Sequence, residues 1–402
     1  MMFLVILGPG MITANVDNDA GGITTYSLAG AHFGLDLLWT IIPMTLALIV
    51  TQEACARMGA VTGKGLSDLI REEYGVKATF WVMLTLILTN LGNTMAEFSG
   101  IAAAGEIFGV PRYVSVLLSA ALVWVLVVRG DNRMVERIFL VACLVYIAYP
   151  ISGILAEPPW PKVLQATVVP PLRFDRDYLQ MTIALVGTTI APWMQFYQQS
   201  AVVEKGIGPQ NYKYERWDVI MGCTITDIVA FFIIIACAAT LHAHGIRIED
   251  ASDAARALRP LAGPYAANLF AFGLLNASLF AASVLPLSTA FFVCEAFGWE
   301  SGVSRNFRSA PQFFVLYTTL IVIGAGVVMI PRFPLVPVMF LSQVANGMVL
   351  PVVLFFVARL ANRADLMGKF VNSRPVNIGL WATGIIMALL TVLALADQFA
   401  VW

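Results

Sequence analysis

Charged residues are scarce in this chain of 402 residues. Only 12% are Asp, Glu, Lys or Arg, whereas 59% are hydrophobic; soluble proteins carry about 25% charged residues. So much apolar sequence cannot be enclosed in one soluble core, and the composition predicts an all-α polytopic membrane protein in a lipid bilayer. A net charge of −1 provides no clustered positive surface, which argues against nucleic acid as a partner. No obligate protein partner is expected.

Other absences narrow the chemistry. The five cysteines are scattered in apolar runs, so they predict neither a disulfide framework nor a zinc site. The opening MMFLVILGPG has no basic n-region or cleavage site and is expected to belong to the first span. The three histidines, His32, His242 and His244, all fall at span ends or in a loop. The membrane core therefore lacks the side chain best suited to carry protons near neutral pH.

Apolar runs long enough to cross the membrane occur eleven times; a crossing of roughly 30 Å takes about 17–25 helical residues. They lie near 3–30, 37–59, 78–107, 111–129, 135–156, 178–205, 216–241, 264–297, 312–330, 334–360 and 378–399. With a cytoplasmic N-terminus, 15 Lys and Arg residues fall in inside loops and 8 in outside loops. This bias predicts a cytoplasmic N-terminus and an outside C-terminus in the cell membrane.

The first and sixth spans are interrupted. The first carries Gly8-Pro9-Gly10 and then Gly21-Gly22, and the sixth carries VGTTIAPWMQFYQQS with Gly187 and Pro192 at its middle. Proline removes a backbone donor and glycine weakens a helix, so both spans are expected to unwind where they line a cavity. Two ordinary kinked helices are the alternative.

Interruptions five spans apart are typical of an inverted 5+5 repeat. The repeats would be residues 1–156 and 178–360, with residues 378–402 as an eleventh span outside them. This arrangement predicts a transporter, not an enzyme, with its binding site near the bilayer centre.

Membrane-embedded polar residues are the candidates for that site, because a carboxylate near the bilayer centre costs at least about 2.5–3.5 kcal/mol. Asp19 is expected to meet a cation among unwound carbonyls, although it could simply cap the second half of a broken helix. Asp17 is divided between a vestibule and a structural role. Glu53 and Arg57, at i and i+4, predict a mutual ion pair.

Four further residues leave alternatives open. Glu97 could be a relay, a gate or a partner of Arg57, and Asp227 is expected to act in gating or in a polar network. The amides of Gln343 and Asn346 lie at mid-membrane, where they could contact an ion or its water, or link helices.

Several stretches resemble the NRAMP divalent-metal transporters. GPG followed by Asp19 resembles the start of that family's first span. The other matching stretches are QEACARMGAVTGKGLSDLIREEYG (52–75), AEFSG (96–100), NASLFAASVLPLSTAFFVCEAFG (276–298) and SQVANGMVLP (342–351). The resemblance implies a LeuT-like fold with eleven spans and inward transport of a divalent cation as substrate, with no cofactor.

The metal site departs from the family pattern. The family has Asp-Pro-Gly-Asn in the first span and Met-Pro-His in the sixth, where this chain has Asp19-Ala20-Gly21-Gly22 and Ala191-Pro192-Trp193. A thioether favours transition metals, whereas carboxylate, carbonyl and water suit magnesium, calcium and manganese. Losing the thioether and the amide leaves a wider, harder site, which fits a partly hydrated Mg²⁺.

The remaining family positions are carried over one by one. The resemblance implies backbone carbonyl ligands at Val16 and Thr188 and a side-chain contact from Gln343. The family's second histidine falls near Gln198 or Gln199, and its third-span aspartate is Thr94, although Glu97 is retained. Trp193, Gln198 and Asn346, with the acidic residues Asp17, Glu97 and Asp227, are the expected gating or pathway residues.

This pattern resembles the divergent NRAMP-related magnesium transporters. It implies Mg²⁺ and Mn²⁺ uptake by alternating access without proton coupling. The alternatives are a proton-coupled Mn²⁺/Fe²⁺ transporter of the main family, a sodium-coupled amino-acid carrier on the same fold, and an intramembrane aspartyl protease using Asp19 and Asp227. The last requires two aspartates that share a proton, in a motif that this sequence does not display.

Overall fold

The computed structural model describes residues 13, 16–129, 146–171, 173, 175–303, 305 and 307–399, and these residues form helices and connecting turns. The longer helices are α1 (Ala20–Phe33), α2 (Ile41–Thr62), α3 (Leu66–Ile107), α4 (Arg112–Arg129), α5 (Ala148–Leu155), α6 (Trp160–Val168), α7 (Arg176–Thr189), α8 (Pro192–Glu204), α9 (Tyr212–Thr240), α10 (Ala266–Phe297), α11 (Pro311–Val328), α12 (Leu335–Ala361) and α13 (Arg374–Phe399). Short helical turns join several of them.

Seven helical segments of the described chain are long and apolar enough to cross a membrane, and α4 is a shorter apolar helix. The predicted multi-pass, all-helical class is confirmed. The structure starts the second, seventh and eleventh spans up to four residues from the predicted positions. Part of the first span and residues 135–145 of the fifth lie outside the described residues.

The segment Ala251–Phe297, which contains α10, is the most enclosed of the seven membrane-length segments in the described chain. Of an apolar stretch of 18 residues in it, 94% is buried, against 11% for a stretch of the same length in α13. Helix α10 packs against α3, α8 and α11, whereas α13 lies on α12 with its other face open. Exposed apolar side chains such as Ile378, Leu389 and Val392 on α13 form a lipid-facing surface.

The sixth span is broken where the sequence predicts. Helix α7 ends at Thr189 and α8 begins at Pro192, with Ala191 in an extended conformation between them. Proline is tolerated at the first helical position because its missing N–H has no helical partner to lose. Gly187, however, lies inside α7: a Cβ there would overlap backbone atoms of Gln343 and Gly347, so this glycine allows α7 and α12 to touch.

The break in the first span precedes the predicted one. Val16 and Asp17 are helical, the chain turns at Asn18 and Asp19, and α1 begins at Ala20. Gly21 and Gly22 therefore occupy the first turn of α1 and do not unwind it; this part of the prediction is wrong. The capping carboxylate of Asp19 determines the break, and Gly8-Pro9-Gly10 lies outside the described residues.

A separate helical piece precedes the third span. Helix α3 starts at Leu66, and a kink at Gly75 (φ 78°) separates residues 66–74 from the apolar segment. A positive φ suits glycine, so this residue ends one helical piece and starts the next. The charged stretch before the kink is thus helical but is not a continuation of the span.

A polar contact joins the segment after α1 to the start of α7. Arg173 bonds to Asp36 at 2.9 Å and to Asp175 at 3.0 Å, and it lies over the rings of Phe33 and Tyr178. Asp175 also caps α7 by accepting the N–H of Tyr178. That N–H, together with Arg173, holds the pKa of Asp175 below its ordinary value.

The predicted ion pair of Glu53 and Arg57 is confirmed, at 3.2 Å, with side chains only 11% and 7% exposed. Arg57 also donates to Asn372 Oδ1 at 2.6 Å and to the carbonyl of Phe370. The pair therefore ties α2 to the segment that follows α12, and Arg57 is not the partner of Glu97.

We expect Arg57→Gln to lower thermal stability strongly, because removing one partner of a buried ion pair costs about 3–5 kcal/mol. Glu72→Gln is the matched control: its pair with Lys64 is 45–46% exposed, and surface pairs contribute about 0–1 kcal/mol. The measurement is the unfolding temperature of purified protein in detergent. Equal shifts for both variants would contradict this interpretation of the network.

Candidate metal site

Asp19 stands at the break of the first span. Its side chain is the N-cap of α1: Oδ1 accepts the N–H of Gly22 at 2.6 Å, and the residue is only 6% exposed. Asp19 therefore does cap a helix, as one of the two predicted alternatives stated. A cap contributes about 0.5–2 kcal/mol, less than the cost of a carboxylate at mid-membrane, so a positive partner is still required.

Glu97 lies directly beside this helix start. It is fully buried on α3, and its Oε2 accepts the N–H of Ala20 at 3.2 Å. The carboxyl groups of Glu97 and Asp19 are also in direct contact, and Oε1 of Glu97 has no hydrogen-bond partner in the described chain. Two acidic side chains thus share one helix N-terminus.

Thr188, Gly22 and Gln343 meet at the same place. A Cβ on Gly22 would lie 3.3 Å from Thr188 Oγ1 and 3.4 Å from Asp19 Oδ1, and would overlap the carbonyl oxygen of Asp17. A Cβ on Gly21 would overlap the side-chain amide of Gln343. The two breaks are therefore adjacent, with α12 on one side, and Tyr26 bonds to Thr189 across them at 2.8 Å.

Gln343 and Asn346 belong to an amide network between helices. Asn346 donates to Gln343 Oε1 at 2.8 Å and exchanges 3.0 Å bonds with Asn93 on α3. Asn90 continues the network to Thr289 on α10 at 2.8 Å. Helix-to-helix bonding, one of the two predicted alternatives, is thus present. Asn90 and Asn93 are not among the residues predicted from the sequence, although two amides three residues apart on an apolar helix indicate such a network.

Helix α8 carries the sixth-span candidates. Ala191 is its N-cap and has no side-chain group that could bind a metal. Its carbonyl accepts hydrogen bonds from the Met194 N–H and the Gln195 side-chain amide. Trp193 is 1% exposed. Gln198 bonds to Thr13 of the first span and to Glu215 of α9, both at 2.9 Å. Gln198 therefore links three spans, a role that the sequence pattern did not indicate.

Asp17 precedes the first break in the chain, and Asp227 lies on the neighbouring helix α9. Each is 2% exposed, and their like charges are close enough to repel each other. Asn18 connects the two helices, since its Nδ2 donates to Thr226 Oγ1 at 2.9 Å and its carbonyl accepts from Tyr146 Oη at 3.0 Å. Asp17 is therefore buried, and its assignment to a vestibule or to a structural role stays a prediction.

The donor set at the breaks is sparse. Within the described ranges, no group of three or more His, Cys, Asp or Glu side chains is arranged to hold a metal ion. Val16 is 1% and Thr188 is 3% exposed, so both predicted carbonyl positions lie inside the protein. An ion here would meet oxygen atoms of one or two carboxylates, backbone carbonyls and water, which suits hard cations.

Residues 10–397 match the family model described as natural resistance-associated macrophage protein-like (Nramp). This chain belongs to the Nramp family. The predicted resemblance is confirmed, and a family of membrane transporters agrees with the expectation that the chain is not an enzyme.

Two relatives are named divalent metal cation transporter MntH. The one from Ralstonia nicotianae is 29% identical, over 98% of this chain and 90% of the relative. The one from Bacillus subtilis is 25% identical, over 98% of this chain and 93% of the relative.

Solved structures share the fold. The Eremococcus coleocola manganese transporter, in complex with an aromatic bis-isothiourea substituted compound, superimposes with a TM-score of 0.79 and 21% identity, covering 98% of this chain and 87% of that one. MHP1, a nucleobase-cation-symport-1 family transporter, gives a TM-score of 0.61 and 14% identity, covering 98% and 92%. The predicted LeuT-like fold is confirmed.

We expect Gly22→Ala to destabilise the protein by about 1–3 kcal/mol, because its Cβ meets backbone and overpacked sites cost this much. Gly326→Ala in α11 is the control: a Cβ there meets no atom within 4 Å, and alanine gains about 0.5–1 kcal/mol in a helix. Thermal unfolding of both variants checks this; a smaller loss of stability at Gly22 than at Gly326 would contradict it.

Proposed function

We propose that this protein carries divalent cations across the cell membrane, Mg²⁺ and also Mn²⁺, by alternating access and without proton coupling. The observation that supports this most is that Asp19 is combined with residues at positions 22 and 191 that have no ligand side chain. One carboxylate stands where two broken helices meet, while Gly22 and Ala191 add no side-chain ligand. Mg²⁺ usually keeps several waters and binds through one or two carboxylates, which fits such a site.

The site residues follow from that proposal. Asp19 is the side-chain ligand, Val16 and Thr188 supply carbonyl oxygens, and Gly22 and Ala191 leave room for water. Gln343 approaches the ion from α12. The gating or pathway residues are Asp17, Glu97, Trp193, Gln198, Asp227 and Asn346, all of them at most 2% exposed.

The topology completes the proposal. Residues 1–156 and 178–360 act as inverted five-span repeats, residues 378–402 form an eleventh span, and the N-terminus is cytoplasmic with the C-terminus outside. A membrane that is negative inside then favours entry of a divalent cation by about 4.6 kcal/mol per 100 mV, twice the 2.3 for a single charge. Uptake therefore needs no second driving ion.

The names of the relatives support a divalent metal substrate, and manganese in particular. A proton-coupled Mn²⁺ transporter is thus the second candidate. The retained Glu97 beside Asp19 favours it, since a carboxyl pair can carry a proton. The lack of histidine at position 193, with His32, His242 and His244 only at span ends or in a loop, favours the first candidate.

Proteoliposomes containing an Mg²⁺ indicator and a pH indicator separate the two. We expect Mg²⁺ uptake without internal acidification, and Asp19→Asn should reduce it by at least about tenfold, a change of about 1.4 kcal/mol. Asp36→Asn is the control, because Asp36 pairs with Arg173 away from the breaks. Mn²⁺-driven proton influx without Mg²⁺ flux would overturn the first candidate.

A double variant tests the basis of selectivity. Ala191→Met with Trp193→His adds a thioether and an imidazole, ligands that favour transition metals. We expect the ratio of Mn²⁺ to Mg²⁺ uptake to rise by about tenfold, about 1.4 kcal/mol. Ala191→Val with Trp193→Phe changes the same positions without adding a ligand and should leave the ratio unchanged; an equal rise in this control would refute the explanation.

A further inference from the structure

Asp17 and Asp227 form a second acidic pair that the proposed Asp19 site does not use. Asp17 lies in the helical residues just before the break and Asp227 at the middle of α9, and each is 2% exposed. Asn18 holds the two segments together through its 2.9 Å bond to Thr226, the neighbour of Asp227. The two carboxylates therefore face the same interface between the first span and α9.

The carboxylate oxygens of this pair are buried without an assigned donor. All four oxygens of Asp17 and Asp227 lack a hydrogen-bond partner among the described residues. The Thr45 hydroxyl lies within reach of Asp227, but in this structure it donates to the carbonyl of Ile41 at 2.8 Å. Buried acceptors without donors are costly, and buried charges are normally paired or coordinate a metal.

Asn18 provides an independent third acceptor. Its side chain is 1% exposed, its Nδ2 is fixed at Thr226, and its Oδ1 has no hydrogen-bond partner in the described chain. A neutral amide oxygen left free in the protein interior is expensive unless it meets a donor or a cation. Together, Asp17, Asn18 and Asp227 present five buried oxygen atoms that have no hydrogen-bond partner among the described residues.

We propose that Asp17 and Asp227, with the amide oxygen of Asn18, bind a second divalent cation beside the one held by Asp19. This inference rests on the proposed function, because it assumes that divalent cations reach the break. Two carboxylates balance one divalent charge, and oxygen ligands select Mg²⁺ or Mn²⁺ over softer metals. With only two carboxylates present, several waters stay on the ion.

The site has a clear place in transport. An ion that leaves Asp19 moves to the carboxylates of Asp17 and Asp227. Two ions can therefore occupy neighbouring sites along the transport path. Repulsion between two close divalent cations would weaken the hold on each, which favours release from sites that are otherwise tight.

Mn²⁺ binding to the full-length protein tests the proposal, using electron paramagnetic resonance and equilibrium dialysis. We expect two ions per chain in the wild type, one in Asp227→Asn and one in Asp19→Asn, and none in the double variant. Asp218→Asn, which removes another buried carboxylate from α9, is the matched control and should retain two. One ion in the wild type, or two in Asp227→Asn, would overturn the proposal.

Two safeguards keep the outcome interpretable. If Asp227→Asn does not fold, Asp17→Asn should also leave one ion, and the wild type alone should show dipolar broadening from two neighbouring Mn²⁺ ions; its absence at saturation would count against the site. Transport is measured separately. Mg²⁺ uptake with a single bound ion refutes only this inference, whereas two bound Mn²⁺ ions without Mg²⁺ uptake refute only the proposed Mg²⁺ function.

Discussion

Polar groups in the membrane interior need partners from the protein, because water is not there to solvate them. The breaks follow this constraint. At α1 the exposed N–H groups of Ala20 and Gly22 are taken up by Glu97 and Asp19. At α8 the first residue is Pro192, which has no N–H to satisfy. These N–H groups are therefore satisfied, and at the first break two carboxyl groups satisfy them.

The carboxylates around the first break are unbalanced. In the part of the chain that the structure describes, Asp17, Asp19, Glu97 and Asp227 form no ion pair with Lys or Arg, whereas Glu53 is paired with Arg57. Their cost in the membrane exceeds what helix capping returns. The proposed cation would supply the positive partner that these carboxylates lack among the described residues.

Glycine has a different role here from the one that its helix propensity suggests. Gly22 and Gly187 both lie within helices, and both stand where a Cβ would overlap backbone of another segment. Removing a side chain thus brings α1, α7 and α12 into contact around the breaks. Close approach of helices through small residues is common in membranes, where packing and not the hydrophobic effect holds helices together.

Composition and local pattern determined the class of this protein: the apolar runs fixed the spans, Pro192 fixed the second break, and the i, i+4 spacing fixed the Glu53–Arg57 pair, because each of these depends on neighbours in sequence. The tertiary structure decided the rest. The contact of Glu97 with Asp19, the approach of Asp17 to Asp227 and the links of Gln198 join residues 17 to 210 positions apart. Only the packing of the helices brings such residues together, since a helix pattern defines a buried face but not the helix that covers it.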